Sequence, residues 1–112
     1  MKHSVAAAAL VAAACAASAS YAADPAAGKK VAQGTCAVCH GLDGIAKNPE
    51  APNLAAETTT YLVKQLKAFK AGERKHEQMS IIAEGLSDED MANVGVVFED
   101  QDQGGDAAVA VL

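Results

Sequence analysis

The chain has 112 residues, 9 Lys or Arg against 14 Asp or Glu, a formal net charge of −5 and 51% apolar residues. That length allows one small domain with a thin core, and an acidic chain with no basic-aromatic platform gives nucleic-acid binding no support. Aromatic residues are 4% of the chain and Trp is absent, so few large side chains stand ready to close a core.

Lys2 and His3 make a short polar start, Val5 to Ala17 is an apolar run, and Ser18-Ala19-Ser20-Tyr21-Ala22 is a small-residue exit before Asp24-Pro25. Residues 1–22 therefore read as a secretory signal peptide cut after Ala22, with Ala19 as the other candidate position. The apolar run falls short of the ~20 residues that span a bilayer, so the mature protein is expected to be soluble. Cys15 leaves with the signal peptide, so two cysteines remain. Acylation of Cys15 as a lipoprotein would need a larger aliphatic residue three places earlier, where Ala12 stands.

Residues 23–98 carry the domain. Ala26 to Gln33 reads as a short first helix, stopped at Gly34, that delivers the chain into Cys36-Ala37-Val38-Cys39-His40. Two thiols three residues apart followed at once by an imidazole suit covalent haem attachment. Each thiol can add to one vinyl group, and the adjacent ring then ligates the iron from below. Zinc is a second reading: Cys36, Cys39, His40 and His76 just suffice for a four-ligand site, but no second pair stands at useful spacing. A dithiol redox pair is a third, and it expects a βαβ pattern for which this chain shows no convincing strand.

Gly41 to Pro52 is a loop rich in helix breakers. Thr58 to Ala71 places Leu62, Leu66 and Phe69 at i, i+4, i+7, with Lys64, Lys67 and Lys70 away from them and Gly72 as the cap, an amphipathic helix. After a polar turn from Gly72 to Gln78, Met79 precedes the short apolar run Ser80-Ile81-Ile82-Ala83. There a loop can present its sulfur to a haem, and Met79 is the first choice for a sixth ligand. Met91 sits at helical spacing from Val94 and Phe98 and reads as core. His76, between Lys75 and Glu77, reads as a surface histidine, and an open sixth position is the remaining alternative. Ser87-Asp88-Glu89-Asp90 opens the last helix, with Ser87 as N-cap and Asp90 in the capping-box position. The result is an all-α fold of about four helices around one haem, whose bound form should be far more stable than the apo-protein.

These pieces stand in an order that resembles the small single-haem class I bacterial cytochromes c, the group related to two-haem cytochromes with similar halves. The matching stretches are Gly28-Lys29-Lys30-Val31, Cys36 to Gly41, Pro52-Asn53-Leu54, Tyr61 to Phe69, Gly72-Glu73-Arg74, and Met79 with Leu86 to Asp90. The resemblance covers roughly residues 26–98. It implies one covalent haem c with His40 and Met79 as axial ligands, a Pro52 carbonyl that accepts the free ring N–H of His40, and Leu54 lining the haem. It also implies that the last helix crosses the first at Gly28. The family pattern fails toward the C-terminus: adjacent aromatics are expected where Val97-Phe98 stands, and Gly95 weakens the helix by about 1 kcal/mol relative to Ala. The acidic, Gly-containing and then apolar segment 99–112 has no assigned role, and a disordered tail is the default.

An iron filled by His40 and Met79 has no open site for substrate and needs little reorganisation to move one electron. The expectation is a non-enzymatic periplasmic electron carrier, monomeric or weakly dimeric, between a respiratory donor and a terminal oxidase or reductase. An electron-relay subunit of a periplasmic enzyme complex and a gas-binding haem protein are the alternatives. Lys64, Lys67, Lys70, Arg74 and Lys75 cluster while every charge from Glu84 onward is acidic, and steering of an acidic partner by this basic stretch is a hypothesis set against a blander one. The bland reading is a solvated helix face.

Overall fold

The chain enters its fold at Asp24, which is extended and whose carboxylate accepts the N–H groups of Ala26 at 2.9 Å and Ala27 at 3.3 Å. The computed structural model describes residues 9–12 and 22–101. Most of the expected signal peptide, including Cys15, and the tail from residue 102 lie outside the described residues. Pro25 takes the first helical position, where a missing N–H leaves nothing unsatisfied. Helix α1 runs over Pro25–Val31.

The sequence places a stop at Gly34, but the chain passes through it. A π-helical turn over Ala32–Cys36 leads without a break into α2, Ala37–His40. Gly34 is not among the residues of positive φ, and nothing lies within 4 Å of where its Cβ would be. The helix therefore ends at Gly41 instead, at φ 74°. The π turn inserts one residue, which rotates the following segment by about 100° relative to α1, and so sets which way Cys36, Cys39 and His40 face.

Helix α3, Thr59–Ala71, begins at Thr58, whose side chain accepts the Tyr61 N–H at 3.2 Å, and ends at Gly72. Helix α4 is short, Met79–Glu84. Helix α5, Asp88–Glu99, opens on the expected capping box: Ser87 Oγ accepts the Asp90 N–H and the Asp90 carboxylate accepts the Ser87 N–H, each at 3.0 Å. It includes Glu99, the first residue of the segment read as tail. Among the described residues there is no strand, and Pro25 to His40 with α3, α4 and α5 make four helical bodies.

Helix α5 packs on α1 and α3, and α3 packs on α4. Ala32, Leu62, Val94 and Phe98 form the buried core, with Leu54 and Leu66 against it. Met91 and Phe98 are buried almost completely; each such side chain contributes about 1.5–3 kcal/mol relative to exposure. Two glycines permit this packing. A Cβ on Gly28 would lie 2.1 Å from the Asn93 carbonyl oxygen, so α1 and α5 cross with backbones touching, as the resemblance implies. A Cβ on Gly95 would lie 2.8 Å from Thr59 Cγ2, so the residue that weakens α5 as an isolated helix also lets it approach α3. Asn93, buried beside Gly28, accepts the Asp24 N–H at 2.8 Å and ties the chain entry to α5.

Candidate functional site

Residues i, i+3 and i+4 of a helix share a face, so Cys36, Cys39 and His40 point the same way once the chain has turned. All three line one cavity of about 360 Å³. Both thiols are free rather than joined as a disulfide, as attachment to a prosthetic group requires. Burial pushes the Cys36 thiol up to about 11, so at neutral pH it is uncharged against the core.

His40 is 8% exposed. Its Nδ1–H donates to the Pro52 carbonyl at 2.8 Å; a carbonyl can only accept, so Nδ1 carries a proton, and in the neutral imidazole Nε2 is the nitrogen that keeps its lone pair. The loop after α2 supplies that carbonyl. The Cys39 carbonyl accepts the N–H groups of Lys47 and Asn48, and the Gly44 carbonyl accepts those of Leu54 and Ala55. The Asn53 side chain accepts the Ala46 N–H at 2.8 Å and folds the loop back on itself. Pro52 and Leu54 both line the cavity as a result.

Helix α3 forms a wall through Leu62, Leu66 and Phe69, the three residues whose spacing defined its apolar face. Met79, the first residue of α4 and half-buried, lines the same cavity. Of the other candidate sixth ligands, Met91 is fully buried in the core away from the lining, while His76 is exposed at the rim. Sequence reasoning missed the polar rim. Gln65 stands one turn after Tyr61 on the same helix face, and its side chain accepts from Arg74 at 2.8 Å. The Arg74 guanidinium lies 4.6 Å from the centre of the Phe69 ring. The i, i+4 step from Tyr61 to Gln65 to Phe69 was the available signal.

A closed zinc site fits poorly, because no group of three or more His, Cys, Asp or Glu able to hold a metal forms among the described residues. Two free thiols on one helix face, an imidazole with a bare nitrogen and an apolar wall fit a covalently held porphyrin. The sequence model for cytochrome c matches residues 25–102. The chain belongs to the cytochrome c family. It is 42% identical over 72 residues to cytochrome c-554(548) of Halomonas halodenitrificans, covering 62% of this chain and 87% of that protein. It is 36% identical over 81 residues to cytochrome c4 of Pseudomonas aeruginosa, covering 72% of this chain but 40% of that one, so it spans less than half of that relative's length. A protein named thiosulfate dehydrogenase electron acceptor, from Stutzerimonas stutzeri, is 40% identical over 65 residues, which are 57% of this chain and 30% of its own.

As a cytochrome c the protein carries a covalently bound c-type haem, for which Cys36, Cys39 and His40 supply the attachment motif. It is an electron carrier and not an enzyme. The haem supplies an iron that cycles between ferrous and ferric states. The chain's part is to anchor it, orient a ligand and exclude water.

Proposed function

We propose that this cytochrome is a periplasmic one-electron carrier, exported by a signal peptide over residues 1–22, with His40 and Met79 as the two axial ligands of its haem. One observation carries the reading: His40, with Nδ1 committed to Pro52 and Nε2 bare, lines the same cavity as Met79. The Pro52 carbonyl fixes the imidazole plane and raises its basicity. Leu54, Leu62 and Leu66 keep the site apolar, which disfavours the extra ferric charge, and a soft thioether favours ferrous iron, so the potential lies above that of a bis-histidine haem. Donor and acceptor are periplasmic redox proteins, a respiratory donor and a terminal oxidase or reductase.

A second reading, electron acceptor to a periplasmic dehydrogenase, is favoured by the name of the Stutzerimonas stutzeri relative. Co-purification with a larger catalytic protein would distinguish it. Among the described residues no helix is long and apolar enough to cross a membrane. The ligand set is tested by optical spectra of the holoprotein, oxidised, reduced, and reduced with carbon monoxide. A low-spin haem with a far-red sulfur-to-iron band, unmoved by carbon monoxide and lost in Met79→Ala, is expected. A high-spin spectrum, or ready carbon monoxide binding by the native chain, would take Met79 off the iron and make gas binding the leading function.

A further inference from the structure

Helix α4 has six residues, and its N-cap Gln78 makes no side-chain capping bond; its first turn carries no acidic residue. So short a helix does not hold itself together in water, and its first N–H groups need acceptors from elsewhere. His76 provides them. Its Nδ1 accepts the N–H of Gln78 and the N–H of Met79, each at 3.2 Å. The bonding runs back as well: the His76 N–H donates to Ser80 Oγ, and the His76 carbonyl accepts the Ser80 N–H, each at 3.0 Å. This is the reciprocal logic of a capping box, built on an imidazole two residues before the N-cap Gln78 and on Ser80, the second helical residue.

The ring is also held from the other side. It meets the Phe69 ring edge-on, centroids 6.5 Å apart and planes at 71°, and Phe69 lies against Arg74, which is hydrogen-bonded to Gln65. A chain of contacts thus runs from α3 through Phe69 and His76 to the backbone of Met79. We propose that His76, exposed and outside the ligand set, is the positioning residue for Met79, fixing through its N–H the backbone that carries the thioether side chain. The inference rests on Met79 being the sixth ligand. A methionine side chain has three rotatable bonds and a weakly basic sulfur, so its hold on iron depends on where its backbone is pinned. An Asn side-chain oxygen can accept the same two N–H groups; an Ala side chain cannot.

The test compares His76→Ala and His76→Asn with native holoprotein by titrating the ferric form with imidazole, which competes with the sulfur, while following the far-red band. Amide hydrogen exchange at Gln78 and Met79 is measured in parallel. Loss of one cap is worth roughly fivefold in an equilibrium constant. Imidazole should therefore displace the sulfur about fivefold more readily in His76→Ala, with faster exchange at both amides, and both should return toward native values in His76→Asn. Asn93→Ala, which releases Asp24 at the contact of α1 with α5, should lower global stability without changing imidazole affinity. If His76→Ala yields no holoprotein, Ser80→Ala, which removes the return bond, is read in its place. Unchanged displacement in the substituted proteins, no rescue by Asn, or an equal response in Asn93→Ala would overturn the proposal. A native protein without the far-red band would instead defeat Met79 as ligand.

Discussion

Glu99 stands exposed at the end of α5, yet its carboxylate accepts both the hydroxyl and the N–H of Thr59, the latter at 2.8 Å. The Thr59 hydroxyl, then the Thr59 N–H, hold its carboxyl below the ordinary 4.5 against a smaller opposing effect of burial. A depressed folded-state value means that the bond stabilises the fold above about 4.5 and is lost as pH falls through the folded value. Glu99→Gln should therefore lower the thermal midpoint near neutral pH, and the gap to the native protein should close on acidification below 4.5. Thermal unfolding followed by circular dichroism across that range would show it, and a gap independent of pH would count against the pairing. None of this is visible in the sequence, where Glu99 opens an acidic run with no apparent partner and Thr59 stands 40 residues away.

At the scale of elements, the two α5 crossings differ in what they would do with one added methyl group. At Gly28 the obstacle is the Asn93 backbone, which cannot turn aside; at Gly95 the nearest atom is the Thr59 methyl, with Thr59 Cα behind it at 3.3 Å, and turning that methyl away gives up the Thr59 hydroxyl's bond to Glu99. Gly28→Ala should cost about 2 kcal/mol, overpacking outweighing the helix-propensity gain of about 1 kcal/mol. Gly95→Ala should cost less, about 1 kcal/mol, because the same propensity gain offsets a clash with a side-chain methyl and the loosened Thr59–Glu99 bond. Urea unfolding of the two holoproteins measures both, and equal losses would refute the distinction. The helix signals that succeeded were local: Ser87 as a cap, Gly72 as a stop, Leu62, Leu66 and Phe69 as an apolar face. The one that failed, Gly34, carried no information about which glycine would adopt positive φ.

Over the whole molecule, the basic cluster divides into structural and free charges. Lys70 Nζ donates to the Leu86 carbonyl at 2.5 Å, joining α3 to the approach to α5, and Arg74 is engaged by Phe69 and Gln65. Among the described residues the side-chain amines of Lys64, Lys67 and Lys75 have no hydrogen-bond or ion-pair partner. If this face steers an acidic partner, Lys64→Glu with Lys67→Glu should slow bimolecular electron transfer roughly tenfold at low salt, the difference shrinking as added salt shortens the screening length to about 10 Å and below. Stopped-flow rates against ionic strength decide it, and a salt-independent rate equal to the native one would make the cluster a solvated surface. Lys70→Glu would confuse the reading, because it also breaks the tie to Leu86.

The sequence alone determined what local chemistry can determine. Cys36, Cys39 and His40 share a helix face by spacing, the α3 stripe lines the cavity by periodicity, and Met91 joins the core for the same reason. Pro52 and Leu54 were reached only through the family resemblance, since a loop carbonyl leaves no mark in side-chain spacing; Met79 at the cavity was readable as a thioether after a turn. Tertiary structure decided the rest: the π turn that aims the attachment motif, the Asn93 tie to Asp24 across 69 residues, the Thr59–Glu99 bond and the His76 ring beneath α4. The distant ties among these join groups whose meeting depends on how α5 crosses α1 and α3. That crossing is set by close contacts at Gly28 and Gly95, which are properties of the packed molecule and of no single segment.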